Sequence, residues 1–162
     1  MKTKLIAEVG INHNGSVAIA KKIIRAAKKI GVNIIKFQFY TTEKLILPNT
    51  PMAEYQTNNY DNKKISDQYK LLKKFELNLK QHINLSNYCK KLGLEYCCSF
   101  FHEDDVKYAK ILGLKRIKIP SGELNNFFLL KKISKLNKKI ILSTGMSNLK
   151  DLKKTLNFLT KN

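Results

Sequence analysis

Tryptophan is absent from this 162-residue chain, and arginine nearly so: Arg25 and Arg116 are the only two among 31 basic residues. The second scarcity decides something. A formal net charge of +19 would suit a protein that binds phosphate backbones by releasing counterions, but base recognition favours the bidentate fork that arginine has and lysine lacks. The lysines fall mostly in pairs inside helical patterns ("AKKII", "AAKKIG", "LLKKF", "LLKKIS", "DLKKTL"), on the face that a packed helix leaves to solvent. A lysine-rich background accounts for them, and no nucleic-acid partner is expected. Cysteine is sparse as well. Cys89, Cys97 and Cys98 are odd in number and lack metal-type spacing, and the adjacent pair points to opposite faces of an expected strand, so reduced thiols are expected. Neither a run of about 18 apolar residues nor a cleavable leader is visible, which predicts a soluble cytoplasmic protein with no membrane contact. The length suits one domain with a sizeable core.

What is present is an alternation. Apolar runs of strand length at 5–10, 33–40, 94–101, 115–120 and 139–143 are separated by amphipathic helical patterns, which is the signature of βα repeats. Ser16 is placed to cap a first helix with apolar positions Ala20, Ile23, Ile24, Ala27 and Ile30, ended by Gly31. Further helices are predicted over 81–93, from Asp104 and Asp105 to 113, over 127–137 and over 148–160. The segment from Thr41 to about Asn78 breaks the rhythm, with Pro48, Pro51 and one short helical pattern, "YKLLKKFEL". Such an excursion is either a functional loop over a site or a tolerated insertion.

Five βα units fit two architectures. A flavodoxin-like open sheet would be complete at this size, whereas a (β/α)8 barrel needs about 250 residues and would be present here as its first five units. Polar residues on the strands favour the barrel. An open parallel sheet is covered on both faces and reads as continuous apolar runs. Here Ile35, Phe37 and Phe39 alternate with Lys36 and Gln38, and Ile117 and Ile119 alternate with Arg116 and Lys118. Cys97 shares a face with Ser99, Ile141 shares one with Ser143, and Glu8 ends the first strand. Two lysines facing one enclosure repel unless carboxylates or a bound anion compensate them. Glu8 and Glu123 can offset part of that charge. Lys36 and Lys118, with the hydroxyls of Ser99, Ser121 and Ser143, form a predicted cradle for a small dianion such as a phosphate ester bearing a carboxylate. His13, in the turn "NHNG", is a weaker candidate for substrate positioning. His82 and His102 lack metal-type pairing and are expected at the surface.

The stretches "AEVGINHNGS" (7–16), "IKFQFY" (35–40), "AEYQ" (53–56), "IKIPSGELNN" (117–126) and "ILSTGM" (141–146) together resemble the N-terminal catalytic barrel of the sialic acid synthase family, whose members make N-acetylneuraminate, legionaminate or pseudaminate. "PSGE" is closer to the first two branches. The resemblance implies a transferase that condenses phosphoenolpyruvate with an open-chain N-acyl-mannosamine-type sugar and releases phosphate by C–O cleavage. It implies that Lys36, Ser99, Lys118, Ser121 and Ser143 hold phosphoenolpyruvate, that Gln38 and Glu123 contact the sugar, and that Glu8 is an acidic residue at the reacting centre. It implies a divalent metal, Mn or Mg, whose histidine ligands lie in the later part of the family's barrel, so that no metal ligand is assigned here. It also implies a homodimer in the full-length protein. The chain departs from the family's Ser-Thr-Pro-Phe at Cys98-Ser99-Phe100-Phe101, where the serine keeps the hydroxyl. On this reading residues 1–162 are the N-terminal part of the barrel, without its C-terminal part or the antifreeze-like domain, and a truncated or split synthase is expected. An inactive barrel fragment and a basic nucleic-acid-binding module are the alternatives.

Overall fold

The computed structural model describes residues 3–52 and 67–161; the "AEYQ" stretch lies outside them. Five strands, β1 (Ile6–Gly10), β2 (Ile34–Phe39), β3 (Glu95–Phe100), β4 (Arg116–Ile119) and β5 (Lys139–Leu142), form one parallel sheet in the order β1-β2-β3-β4-β5. A doubly wound flavodoxin-like sheet would place its first strand between the second and third. Strictly sequential order is that of a barrel wall, so the fold is the (β/α)8 type, represented by five units.

The helices of the βα repeats lie on one side. Ile35, Phe37, Phe39, Tyr96, Cys98, Phe100, Ile117 and Ile119 share a single apolar cluster with Ala20, Ile24, Ala27, Leu85, Cys89, Leu129, Leu130 and Ile133 of the helices, whereas Ile34 and Cys97, buried on the opposite face of the sheet, are not part of it. Burying this outer face supplies most of the driving force for folding, at about 25 cal/mol per Å² of apolar area removed from water. The other face is left for the polar alternation.

Local signals set the helix boundaries. In α1 (Val17–Lys29) the Ser16 hydroxyl accepts from Ile19 N, and Ala20, Ile24 and Ala27 are buried. Ile30 falls beyond the last turn and is exposed, because the chain leaves the helix through Gly31 at φ +81°. The excursion carries α2 (Thr42–Leu45) and α3 (Gln68–Phe75), the latter capped by the Asp67 side chain. α4 (Leu79–Lys91) begins two residues before its predicted start, because Asn78 and Gln81 form a reciprocal capping box. The predicted helix near Asp104 divides into a 3-10 turn over Glu103–Lys107 and α5 (Tyr108–Ile111). α6 (Phe127–Ser134), capped by Asn126, and α7 (Leu149–Lys161) complete the described elements.

Both legs of the excursion are packed onto the barrel wall. One Glu76 carboxylate oxygen accepts from Thr42 N (2.9 Å), Thr42 Oγ1 (2.7 Å) and Lys73 Nζ (3.2 Å), joining its two ends. Tyr40 donates its phenol to Leu72 O at 2.9 Å, and Leu71, Phe75 and Leu77 are buried. These anchors give the described legs the packing of a built part of the fold.

Candidate functional site

Parallel register carries the polar residues of four strands to one place. Glu8 pairs with Lys36, Lys36 with Cys97, Gln38 with Ser99, and Ser99 with Lys118. Because side chains alternate along each strand, these residues share the inner face. Lys36 Nζ lies 2.9 Å from Glu8 Oε2, and Lys118 Nζ donates to Glu8 Oε1 at 2.9 Å. The two ammonium groups therefore converge on one carboxylate. Partial burial alone would raise the Glu8 pKa, but the hydrogen bonds from Lys118 and Lys36 outweigh it and hold the carboxyl below its ordinary range.

Lys36 is 4% exposed, so its charge is held inside the fold with Glu8 as its ion-pair partner. Ser99, 1% exposed on the neighbouring strand, has a hydroxyl with no hydrogen-bond partner among the described residues. An orphaned buried hydroxyl costs about 1–3 kcal/mol. Such a group, beside two converging cations, is arranged for an acceptor that arrives with a ligand. Ser121 opens the turn after β4, and Ser143, whose amide donates to Ile119 O, follows β5. Both stand half-buried at the C-terminal end of the sheet, where barrel enzymes place their chemistry. Gln38 is half-buried in register with Ser99.

Glu123 behaves differently from Glu8. Its carboxylate accepts from Asn126 Nδ2 at 2.8 Å, toward the start of α6, and the compensation of both lysines falls to Glu8. Arg116, expected on the lysine face, makes a bidentate pair with Glu95, Nη2 to Oε2 at 3.0 Å, nearer the N-terminal end of the sheet. A cleft of about 790 Å³ opens at the same end, lined by Lys28, Lys90 and Lys115 among others, away from the cradle.

Of the histidines, His82 departs from expectation. His13 is buried, accepts from Gly15 N at 3.0 Å through Nδ1 and packs against Phe37 at 5.9 Å between centroids, on the helix side of the sheet. His82, expected at the surface, is fully buried: its Nδ1 lies 2.6 Å from Tyr96 Oη, with Phe39 at 4.7 Å between centroids. The available signal was spacing, since His82, Leu85 and Cys89 stand three and four residues apart and so share the helix face that turns inward. His102 is partly exposed and caps the turn after β3, accepting from Asp104 N. Among the described residues no three His, Cys, Asp or Glu side chains gather as a metal site. All three cysteines are buried free thiols, and burial pushes Cys97 up to about 11 and Cys89 up to about 12.

A family model described as the NeuB family matches residues 23–162. Over 161 residues the chain is 44% identical to N,N'-diacetyllegionaminic acid synthase of Campylobacter jejuni, covering 99% of this chain and 48% of that protein. It is 38% identical to the Legionella pneumophila protein of the same name, over 92% of this chain and 41% of that one. The chain thus spans about half the length of these curated relatives. Among solved structures, N-acetylneuraminic acid (sialic acid) synthetase from Leptospira borgpetersenii superposes with a TM-score of 0.81 at 24% identity, over 99% of this chain and 51% of that one. That likeness concerns the fold.

Proposed function

The chain belongs to the NeuB family, and from that premise we propose that its residues form the phosphoenolpyruvate-binding part of a synthase that makes a nonulosonic acid from an N-acyl-mannosamine-type sugar. One observation carries this reading: the ammonium groups of Lys36 and Lys118 meet at a single point on the inner face, beside the orphaned Ser99 hydroxyl. Two cations and a free donor suit a phosphate ester that also bears a carboxylate. Ser121 and Ser143 extend the same rim.

In the proposed reaction C3 of phosphoenolpyruvate attacks the sugar aldehyde, water adds at C2, and the C–O bond to phosphate breaks, so that inorganic phosphate leaves. Lys36, Lys118 and Ser99 hold the anionic groups and fix the orientation of C3. Gln38 and Glu123 face the sugar, and Glu8 is the acidic residue at the reacting centre. The relatives named legionaminic acid synthase support an acceptor of that class. The divalent cation implied by the family finds no ligand set among the described residues. A homodimeric, cytoplasmic enzyme completes the proposal. No helix among the described residues is long and apolar enough to cross a membrane.

Calorimetry with phosphoenolpyruvate tests the reading. The wild-type protein should bind it, and Lys36→Ala or Lys118→Ala should each weaken binding about 10- to 100-fold, the size of one charge-assisted hydrogen bond lost. Absence of binding by the wild-type protein, or unchanged affinity in Lys118→Ala, would overturn it.

A further inference from the structure

We infer that Glu8 is a built-in occupant of the cradle, a tethered anion that an incoming phosphate must displace. The inference rests on the reading of Lys36 and Lys118 as the anion-binding pair and adds how that pair is kept when no ligand is bound. Each oxygen of Glu8 is committed to a different ammonium, Oε2 to Lys36 and Oε1 to Lys118, both at 2.9 Å. The carboxylate thus spans the gap that a phosphate would fill.

Charge makes the two occupants competitors. The lysines supply two positive charges and Glu8 one negative, which leaves the cluster one charge short of neutrality. A phosphate dianion brings two, so with Glu8 still in place the cluster becomes negative and two anions share one gap; with Glu8 withdrawn it is neutral. The carboxylate is also the member able to leave. Its side chain is 49% exposed, against 5% for Lys36 and 22% for Lys118. It sits where the β1–β2 register slips, between Glu8 and Gly10, with Gly10 at φ +55°. Lys36, by contrast, is enclosed. The lysines form the fixed half of the latch and Glu8 the moving half. Anion binding therefore frees the carboxylate beside the ligand that displaced it.

The test is phosphate affinity, measured by calorimetry with inorganic phosphate at a pH where it is a dianion. Glu8→Gln, which removes the competitor, should bind phosphate about tenfold tighter than wild type, the scale of two partly exposed ion pairs. Removing any nearby negative charge would favour anions somewhat, so two further variants separate charge from bridging. Glu103→Gln removes a carboxylate from the turn after β3, at the same end of the sheet, without touching either ammonium and should bind as wild type. Glu8→Asp keeps the charge but shortens the reach needed to span both lysines, and should bind about threefold tighter; it also serves if Glu8→Gln fails to fold. Wild-type or weaker affinity in both Glu8 variants, or equal tightening in Glu103→Gln, overturns the latch. Failure of the underlying reading looks different: Lys118→Ala would then bind phosphate as well as wild type does.

Discussion

Lys118 and Glu8 are 110 residues apart in the chain and 2.9 Å apart in space. Their contact places the C-terminal ends of β1 and β4 at one mouth, with Lys36 of β2 on the other oxygen of the same carboxylate. The two lysines share a partner but differ in burial, and that difference separates their effects on stability from their effects on binding.

Lys118→Ala should cost the folded protein about 1 kcal/mol or less, because its pair with Glu8 is partly solvated. Lys36→Ala should cost about 2–3 kcal/mol, since it empties an enclosed position as well as breaking a pair. Denaturant unfolding of the two variants, beside their loss of phosphoenolpyruvate binding, checks the asymmetry. Equal destabilisation would contradict the burial of Lys36.

Ser99→Ala should separate stability from binding in the opposite sense. Its hydroxyl is buried without a partner, so removing it should leave the free protein as stable as wild type or up to about 1–2 kcal/mol more stable. Phosphoenolpyruvate affinity should fall at the same time. Thermal unfolding with and without the ligand reads both effects.

His82 makes stability depend on pH. Burial holds its pKa down at about 3, from an ordinary 6.5, and His13 adds to the depression. Between these values the unfolded chain binds a proton that the folded protein refuses. Stability contributed by neutral His82 is therefore complete above pH 6.5 and falls, by up to about 1.4 kcal/mol per pH unit, as pH drops toward 3. The double variant His82→Leu/Tyr96→Phe, which removes both members of the buried polar pair, should show a flatter stability profile between pH 6 and 4. An unchanged slope would assign the acid sensitivity to other groups.

Gly15 ties the turn after β1 to the excursion. It stands at φ +73°, and a Cβ there would lie 2.4 Å from the backbone oxygen of Lys74. Backbone cannot give way as a flexible side chain would, so Gly15→Ala should cost about 2–4 kcal/mol. Increased proteolysis within residues 67–78 is the accompanying sign that α3 has lost its seat.

Much of the site was legible because a strand alternates its faces. Lys36 between Ile35 and Phe37, and Lys118 between Ile117 and Ile119, declare a polar inner face and an apolar outer one before any neighbour is known. Helix phase was less secure. A stripe built on Ile83, Leu85, Tyr88, Cys89 and Leu92 overlaps the one observed, yet the buried line runs through His82, Leu85 and Cys89. The two stripes differ by a fraction of a turn, and the packing of α4 against the core settles which is most buried. The partner of Glu123 escaped because its hydrogen bond with Asn126, in place of a lysine, depends on how the turn at Ser121–Glu123 is folded.

By itself the sequence determined the βα rhythm, the faces of the strands and the residue types available to hold an anion, because these follow from short-range periodicity and side-chain chemistry. Only the tertiary structure decided that the strands run in sequential order, that Glu8 bridges two lysines and that the Ser99 hydroxyl is left without a partner. Those facts depend on register between strands far apart in the chain, which long-range packing sets and local pattern does not encode.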